Sequence, residues 1–260
     1  MDLGLSGRRA VVTGGTKGIG RAIAAELSAE GAAVAFCARD RRAVAEAEAS
    51  LRAAGATAYG FQADVRQPGD VTRFIEEAAG ALGGIDVLVN NAGGAHPGNF
   101  ESLTDDDWRD DLDVKLFSQL RCSRAALAYL RESEAPRIIN INAVYAKYPD
   151  PAFFATTVNR AACLNFTKVL AQELGPEQIL VNSVNIGFVA TPQWESIRRR
   201  QAPDASEEEF FARLASDEVP LGRFGTVEEV SGLVAFLASD RASYVTGAMI
   251  DVAGGMGRYV

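Results

Sequence analysis

The sequence predicts a single α/β domain in which helices cover both faces of one parallel β-sheet, a doubly wound architecture. Short β-rich runs alternate with longer Ala-rich stretches whose apolar residues recur every three or four positions. Helical stretches such as IGRAIAAELSAEG end at a glycine, a common helix terminator. No linker or break in composition divides the chain, so residues 1–260 are predicted to form one unit.

About seven strands are expected, because strands separated by helices pair in parallel through right-handed crossovers. The segments with strand character are 9–13, 33–38, 56–61, 85–90, 137–141, 179–184 and 248–252. Capping boxes beginning at Ser206 and Thr226 predict two helix starts. Segment 186–225 has no strand pattern and contains large aromatic residues, so we predict that it covers the edge of the sheet as a substrate-side lid.

Composition and charge exclude several classes of protein. A net charge of −8 argues against a nucleic-acid or anionic-membrane partner, since both need clustered positive charge. No apolar run reaches the roughly 18 residues of a membrane span, and the N-terminus has no signal-like apolar region, so we expect a cytoplasmic protein. The chain has no cluster of metal ligands. Its cysteines are expected to be buried thiols: Cys37, Cys122 and Cys163.

The stretch TGGTKGIG, residues 13–20, directly follows the first predicted strand. Glycines 14, 18 and 20 allow a tight turn and a close approach of the backbone to a ligand. A helix beginning near Gly18 would direct its N–H groups at an anion. Because the motif lies between a strand and a helix, it predicts a Rossmann-type dinucleotide site.

The end of the second predicted strand indicates which dinucleotide is bound. An NAD site usually carries an acidic residue there, whereas this chain has Ala38 followed by Arg39. Together with Lys17, Arg39 would flank a 2′-phosphate, so we predict NADP(H). Asp64-Val65 and NNAGG (90–94) end the third and fourth strands at the same carboxyl edge.

These motifs, with VNSVNIGFVATP and the C-terminal FLASDRASYVTGAMIDVAGG, resemble the short-chain dehydrogenase/reductase family over essentially the whole chain. The resemblance implies a Rossmann enzyme, a homotetramer or dimer, that moves a hydride between a nicotinamide and a carbonyl or alcohol. Asp64 and Val65 would contact the adenine and Thr191 the carboxamide, while Ile186 replaces the usual proline. The implied cofactor residues are Gly14, Thr16, Lys17, Gly18, Ile19, Gly20, Arg39, Asp64, Val65, Asn91, Ala92, Gly93, Arg160, Gly187 and Thr191.

The catalytic positions depart from the family pattern of Asn, Ser, Tyr and Lys. Here they read Lys115, Ala143, Thr156 and Arg160. A threonine hydroxyl has a far higher pKa than a phenol, so Thr156 cannot act as the usual general acid near neutral pH. Arg160 keeps a positive charge that could hold the nicotinamide ribose, but it shuttles no proton.

Tyr145 offers a replacement proton donor. It lies two residues beyond Ala143, a placement similar to the 2,4-dienoyl-CoA reductase branch of the family, where a hydroxyl residue like Thr156 occupies the usual Tyr position. We expect Lys115 or Lys147 to lie close enough to lower the pKa of Tyr145. The branch keeps the family's Asn and Lys, so the similarity is partial.

The main hypothesis is therefore an NADP(H)-dependent reductase with Tyr145, Lys115, Thr156 and Arg160 as catalytic residues. Its substrate would be a small carbonyl or enone, apolar or ring-bearing, because aromatic residues occur at 148, 153, 154, 194, 210 and 211. A second hypothesis is a non-catalytic NADP(H)-binding regulator or sensor. A third is a cofactor-independent isomerase or lyase that uses Lys115 or His96 as a base.

Overall fold

The computed structural model describes residues 2–257. In that range the strands are β1 (Arg9–Thr13), β2 (Ala33–Ala38), β3 (Ala58–Gln62), β4 (Val87–Asn90), β5 (Arg137–Ala143), β6 (Leu180–Ile186) and β7 (Met249–Val252). All pair in parallel in one sheet, in the order β3-β2-β1-β4-β5-β6-β7. The order reverses direction between β1 and β4, which is where ligands bind in open α/β sheets.

The helices of the same range alternate with these strands. They are α1 (Gly18–Ala29), α2 (Arg41–Ala53), α3 (Pro68–Leu82), α4 (Asp105–Leu112), α5 (Ser118–Arg131), α6 (Phe154–Leu174), α7 (Pro192–Gln201), α8 (Glu207–Glu218) and α9 (Val227–Ala238). A π-helical turn, Asp113–Phe117, joins α4 to α5, and a 3₁₀ turn, Val144–Ala146, follows β5. Across residues 2–257, no helix has both the length and the hydropathy to cross a membrane.

The predicted doubly wound sheet is confirmed, with differences at strand ends. β5 and β6 each extend two residues further than predicted because they pair with each other through Ala143 and Ile186. The strand-free segment therefore begins at Gly187 rather than at residue 186. Capping boxes at Ser206 and Thr226 are present at the starts of α8 and α9.

Both faces of the sheet are covered. The adjacent β1 residues Val11 and Val12 are fully buried on opposite faces of the sheet. Val12 lies in an apolar cluster with α1 and α9, whereas Val11 lies in a second cluster with α3 and α5. Burial on both faces explains the continuous apolar strands of the sequence. The three cysteines are buried and unpaired, as predicted, and burial raises the pKa of the Cys37 thiol to about 12.

A third cluster lies at the carboxyl end of the sheet and consists mainly of residues from segment 187–225. Phe188 and Phe211 stack on Phe224 at centroid distances of 5.1 and 4.3 Å. At the start of the segment, Gly187 packs so closely on the backbone that a Cβ there would lie 2.8 Å from the Cα of Ala253. The segment thus has its own aromatic core beside β6.

Candidate active site

The glycine-rich turn between β1 and α1 has the shape of an anion-binding loop. Helix α1 begins at Gly18, as predicted, and Gly14 and Gly18 have φ values of +72° and +54°, which favour glycine. A Cβ at Gly20 would overlap the carbonyl oxygen of Gly14. Lys17, the N-cap residue, makes no side-chain capping bond. The first N–H groups of α1 are therefore available to an anion.

Packing explains the other residues near this turn. Thr16 is half-buried, whereas the side chains of Ile19 and Val65 are buried in the core, so a ligand could meet only their backbone. Gly15 was not among the predicted residues, yet a Cβ there would lie 2.6 Å from the Cβ of Phe36. In the sequence, the pair Gly14-Gly15 was the feature that could have indicated this close contact.

Asn91 braces the turn from the neighbouring strand end. Its Nδ2 donates to the carbonyl oxygens of Thr13 and Gly14 at 2.9 and 3.2 Å. The hydroxyl of Thr13 accepts from the N–H groups of Asn91 and Ala92, both at 2.9 Å. The Asn91 side chain thus joins the ends of β1 and β4, and Thr13, which the motifs did not single out as a site residue, completes the brace.

Exposed cations mark the edge where the adenosine end of a dinucleotide would lie. Lys17 and Arg39 are exposed, and neither forms an ion pair with a described residue. The carboxylate of Asp40 accepts from the first turn of α2, which it caps. Asp64 is held by Arg66 at 2.7 Å, and this contact, more than the charge of Arg39, lowers the pKa of Asp64. Asp64 is thus paired and Asp40 uses one oxygen for its own helix, while the two cations remain available to a phosphate.

Arg160 lies against the cofactor side of the loop that follows β4. Its Nη1 donates to the carbonyl oxygen of Ile141 at 2.8 Å, while its buried Nε has no partner within residues 2–257. A Cβ added at Gly93 would lie 3.2 Å from Nη2. A buried, unpartnered donor beside a glycine fits a hydroxyl or carbonyl oxygen of a nicotinamide riboside.

Helix α7 begins directly over the glycine-rich turn. A Cβ at Gly18 would lie 3.6 Å from Cγ2 of Thr191, the N-cap residue of α7. Gln193, in the first turn, accepts from the N–H of Ala95 at 3.2 Å. Segment 187–225 therefore touches the loops after both β1 and β4, and the two predicted residues Gly18 and Thr191 are brought together.

Lys115 and Thr156 form part of a buried polar cluster. The Lys115 side chain is fully buried, forms an ion pair with Asp111 and donates to Thr156 Oγ1 at 3.2 Å. Asn159 Nδ2 donates to the other oxygen of Asp111 at 2.8 Å. Lys115 lies in the π-helical turn, a helix irregularity that is frequent at functional sites.

The same cluster holds the loop that contains His96. The Thr156 hydroxyl lies 3.3 Å from the backbone nitrogen of His96 and 3.4 Å from its carbonyl oxygen. The imidazole Nε2 lies 3.2 Å from Asp107 of α4. Thr156 is therefore occupied by protein partners on several sides.

Burial and, second, the charge of Arg160 lower the pKa of Lys115 to about 6. The adjacent Asp111 carboxylate acts in the opposite direction, since a nearby negative charge favours the ammonium form.

Tyr145 lies apart from this cluster. It belongs to the 3₁₀ turn after β5, and its ring stacks on Phe153 at a centroid distance of 5.3 Å. Other contacts are with the aromatic cluster of segment 187–225. The side chain is half-buried, and its hydroxyl forms no hydrogen bond with any residue between 2 and 257.

The expectation that a lysine lowers the pKa of Tyr145 is wrong. Lys115 pairs with Asp111, and Lys147 contacts Asp251 at 2.9 Å. Burial raises the pKa of Tyr145, and the nearby carboxylates of Asp150 and Glu218 raise it further. The phenol therefore remains protonated across the neutral range.

Asp111, Asn159 and Arg66 are the side chains of this region that the motifs did not reveal. Asp111 precedes Lys115 by four residues, which is the spacing of an ion pair on one helix face, so the sequence did carry a signal for it. Asn159 reaches Asp111 and Arg66 reaches Asp110 through tertiary contacts that no spacing rule indicates, whereas the pairing of Arg66 with Asp64 is local.

Comparison with known proteins agrees with this geometry. A family profile described as enoyl-(acyl carrier protein) reductase matches residues 14–257. The 3-oxoacyl-(acyl-carrier-protein) reductase FabG of Aquifex aeolicus is 35% identical over 257 residues, which cover 98% of this chain and 100% of the relative. The chain therefore belongs to the short-chain dehydrogenase/reductase family of oxidoreductases, which confirms the resemblance inferred from its motifs.

Solved structures add detail on the site. A short-chain oxidoreductase from Pseudomonas aeruginosa PAO1, described as containing an atypical catalytic center, is 37% identical with a TM-score of 0.93, covering 99% of this chain and 100% of that one. Its NADPH-bound form has a TM-score of 0.91 at 38% identity, covering 96% and 97%. L-Sorbose reductase from Gluconobacter frateurii, complexed with NADPH and L-sorbose, has a TM-score of 0.97 at 31% identity and full coverage of both chains.

Proposed function

We propose that this protein is an NADP(H)-dependent reductase of a small carbonyl- or enone-bearing molecule, in which Tyr145 donates a hydrogen bond to the substrate oxygen. The observation that carries the proposal is the Tyr145 phenol, which is protonated, half-buried and without a hydrogen-bond partner among residues 2–257. An unpartnered donor at the carboxyl edge of the sheet is available to a bound ligand.

The choice of NADP(H) rests on the adenosine edge of the site. Lys17 and Arg39 are exposed cations, the Asp64 carboxylate is paired with Arg66, and Asp40 uses one carboxylate oxygen to cap α2. A 2′-phosphate would find two cations there, neither of them in an ion pair within residues 2–257. The NADPH complexes of two similar structures support this choice.

The chain's own residues would then divide the work. Bound NADPH supplies the hydride. Arg160, which lies beside Gly93 and whose Nε has no partner within residues 2–257, would bond the nicotinamide riboside. Tyr145 would donate a hydrogen bond to the substrate oxygen as negative charge develops there and then transfer its proton to that oxygen, after which water reprotonates the Tyr145 phenolate. A raised pKa keeps the phenol protonated until that moment.

The surroundings of Tyr145 favour an apolar or ring-bearing substrate. Phe153 stacks on its ring, and the aromatic cluster of segment 187–225 lies on another side. We propose that this segment acts as a lid, because α7 already contacts the loops after β1 and β4. Flat aromatic side chains stack well on a planar conjugated substrate.

The test is NADPH oxidation by the purified protein across a panel of ketones, aldehydes and enones. Tyr145→Phe should lower kcat/KM by roughly 10²- to 10³-fold, the range for loss of one oxyanion donor, while NADPH affinity stays the same. Tyr129→Phe, a change on α5 away from the site, is the control. Full turnover in Tyr145→Phe would show that another group provides the proton.

A non-catalytic NADP(H)-binding protein is the second candidate. The observation in its favour is that Lys115 and Thr156, at two of the four catalytic positions, bond to each other and to Asp111. Tight NADPH binding by the wild-type protein, with no oxidation across the whole panel, would favour this candidate over the reductase.

A further inference from the structure

The loop of residues 91–98 is anchored at both ends, with Gly93 between the anchors. At its start, Asn91 is bonded to the end of β1. Further on, the hydroxyl of Thr156 contacts both main-chain polar groups of His96. Gly98 then exchanges backbone hydrogen bonds with Ala152 and with the start of α6, at 2.9 and 3.0 Å. The position of Gly93 depends on these contacts.

Thr156 is in turn held from behind by the buried cluster. Lys115 donates to Thr156, Asp111 pairs with Lys115, and Asn159 donates to Asp111. Asp111, Lys115, Thr156 and Asn159 are 0%, 1%, 4% and 4% exposed. Because they are almost inaccessible, these groups are poorly placed to touch a substrate. They connect α4, the π-helical turn, α6 and the 91–98 loop.

Arg160 completes the connection to the cofactor side. It follows Asn159 directly on α6, and its Nη2 would be 3.2 Å from a Cβ at Gly93. A shift of α6 or of the loop would therefore change the contact between Arg160 and Gly93. We take this contact as one border of the place where the nicotinamide riboside would bind.

We propose that Asp111, Lys115 and Asn159 are positioning residues for the nicotinamide half of the dinucleotide, acting through Thr156 on the 91–98 loop and through α6 on Arg160. The inference rests on the proposed function, since it takes NADP(H) as the ligand. It gives Lys115 and Thr156 a role that requires neither to exchange a proton with the substrate.

Two ligands separate positioning from a general effect on the fold. NADPH has both halves of the dinucleotide, whereas 2′,5′-ADP has only the adenosine end with its 2′-phosphate. Their dissociation constants would be measured by calorimetry for the wild type and for the double variant Asp111→Asn/Lys115→Met. The double variant removes both charges, because leaving one buried charge unpaired is strongly destabilising.

We expect the double variant to bind NADPH roughly 3- to 30-fold more weakly, the range for indirect coupling, and to bind 2′,5′-ADP as the wild type does. Thr156→Val should weaken NADPH in the same selective way, and Thr156→Ser, which keeps the hydroxyl, should weaken it less. Arg109→Met is the matched control, because Arg109 is exposed on α4 and, among residues 2–257, its ion pairs are with Asp105 and Asp106.

Unchanged NADPH affinity in the double variant and in Thr156→Val would overturn the inference. Equal weakening of both ligands would also overturn it, since a general loss of structure affects both halves alike. Failure of the proposed function would give a different result. If the wild-type protein binds 2′,5′-ADP and NADPH with equal affinity, or binds neither, the proposed nicotinamide site is wrong.

Discussion

Lys115, Thr156 and Tyr145 all carry groups that can donate a hydrogen bond, and their surroundings separate them. Lys115 and Thr156 are buried and bonded to protein partners, whereas the Tyr145 hydroxyl has no partner in residues 2–257. A polar group that is buried loses its hydrogen bonds to water, so it is usually bonded to another group of the protein. An accessible polar group can instead bond to a ligand. Chemical type alone does not identify the donor.

At the same scale, Arg39 should determine the preference for NADPH over NADH. Arg39→Ala should weaken NADPH binding by about tenfold, since a hydrogen bond to a charged group is worth about 1.5–3 kcal/mol and less when exposed. NADH binding should not change, because NADH has no 2′-phosphate. Titration of both nucleotides measures the ratio.

The control for this prediction is Arg42→Ala. Arg42 is also exposed at the start of α2 but is paired with Glu46 at 2.8 Å. An equal effect of the two substitutions on NADPH would mean that only the overall charge of this edge matters.

At the scale of elements, the acidic helix α4 and its π-helical extension join several parts of the protein. Asp107 contacts His96, Asp110 contacts Arg66 at 2.8 Å, and Asp111 pairs with Lys115. These partners come from the loop after β4, from the loop after β3 and from the π-helical turn. Asp107 and Asp110 are therefore used in tertiary contacts, whereas Asp105 and Asp106 form the solvated face of α4.

The tight packing of α1 on the glycine-rich turn gives a prediction about stability. Gly20→Ala should destabilise the protein by about 1–3 kcal/mol, the usual cost of overpacking, because its Cβ would overlap the carbonyl oxygen of Gly14. The NADPH site should weaken with it. Urea denaturation and nucleotide titration measure the two effects.

Gly232→Ala provides the matched control within α9. A Cβ at Gly232 would meet no atom within 4 Å, and alanine is favoured over glycine in a helix by about 0.8–1 kcal/mol. Gly232→Ala should therefore be neutral or slightly stabilising. Similar losses in both variants would contradict the role assigned to the turn.

At the scale of the whole molecule, the parallel sheet determines where the site lies. Every strand ends at the same edge, so residues that are far apart in sequence come into contact there, Gly18 with Thr191 and Gly93 with Arg160. The opposite edge is held together by Asp86, which lies just before β4. It accepts from Arg9 of β1 at 2.6 Å and from Ser133 after α5 at 2.6 Å.

Asp86 should make the stability of the fold depend on pH. Burial raises the pKa of this carboxyl, but hydrogen bonds from Arg9 and Ser133 outweigh burial and lower it overall. A lowered pKa contributes stability above the unfolded value of about 3.9, and that stability is lost as the pH falls through the folded value.

Asp86→Asn should therefore lose about 2 kcal/mol at neutral pH, and the difference from the wild type should shrink below about pH 4. Urea denaturation at several pH values measures this difference. A gap that stays constant with pH would mean that the charge of Asp86 is not what stabilises the fold. Asp105→Asn, at an exposed position of α4, should show no such dependence.

The sequence by itself determined the sheet, its helices and the side of the molecule where the cofactor loops lie. Strand and helix periodicities are local, and a motif such as TGGTKGIG depends on the backbone freedom of its own glycines. The capping boxes at Ser206 and Thr226 were local for the same reason. Each could be inferred from a few consecutive residues.

Only the tertiary structure decided what the catalytic positions do. Lys115 forms an ion pair with Asp111, and Lys147 forms one with Asp251, so neither lysine lowers the pKa of Tyr145. Asn159 contacts Asp111 and Arg66 contacts Asp110, and no sequence spacing indicates either contact. The physical reason is that the pKa and the partners of a side chain depend on burial and on charges from distant segments, and these are known only after the chain has folded.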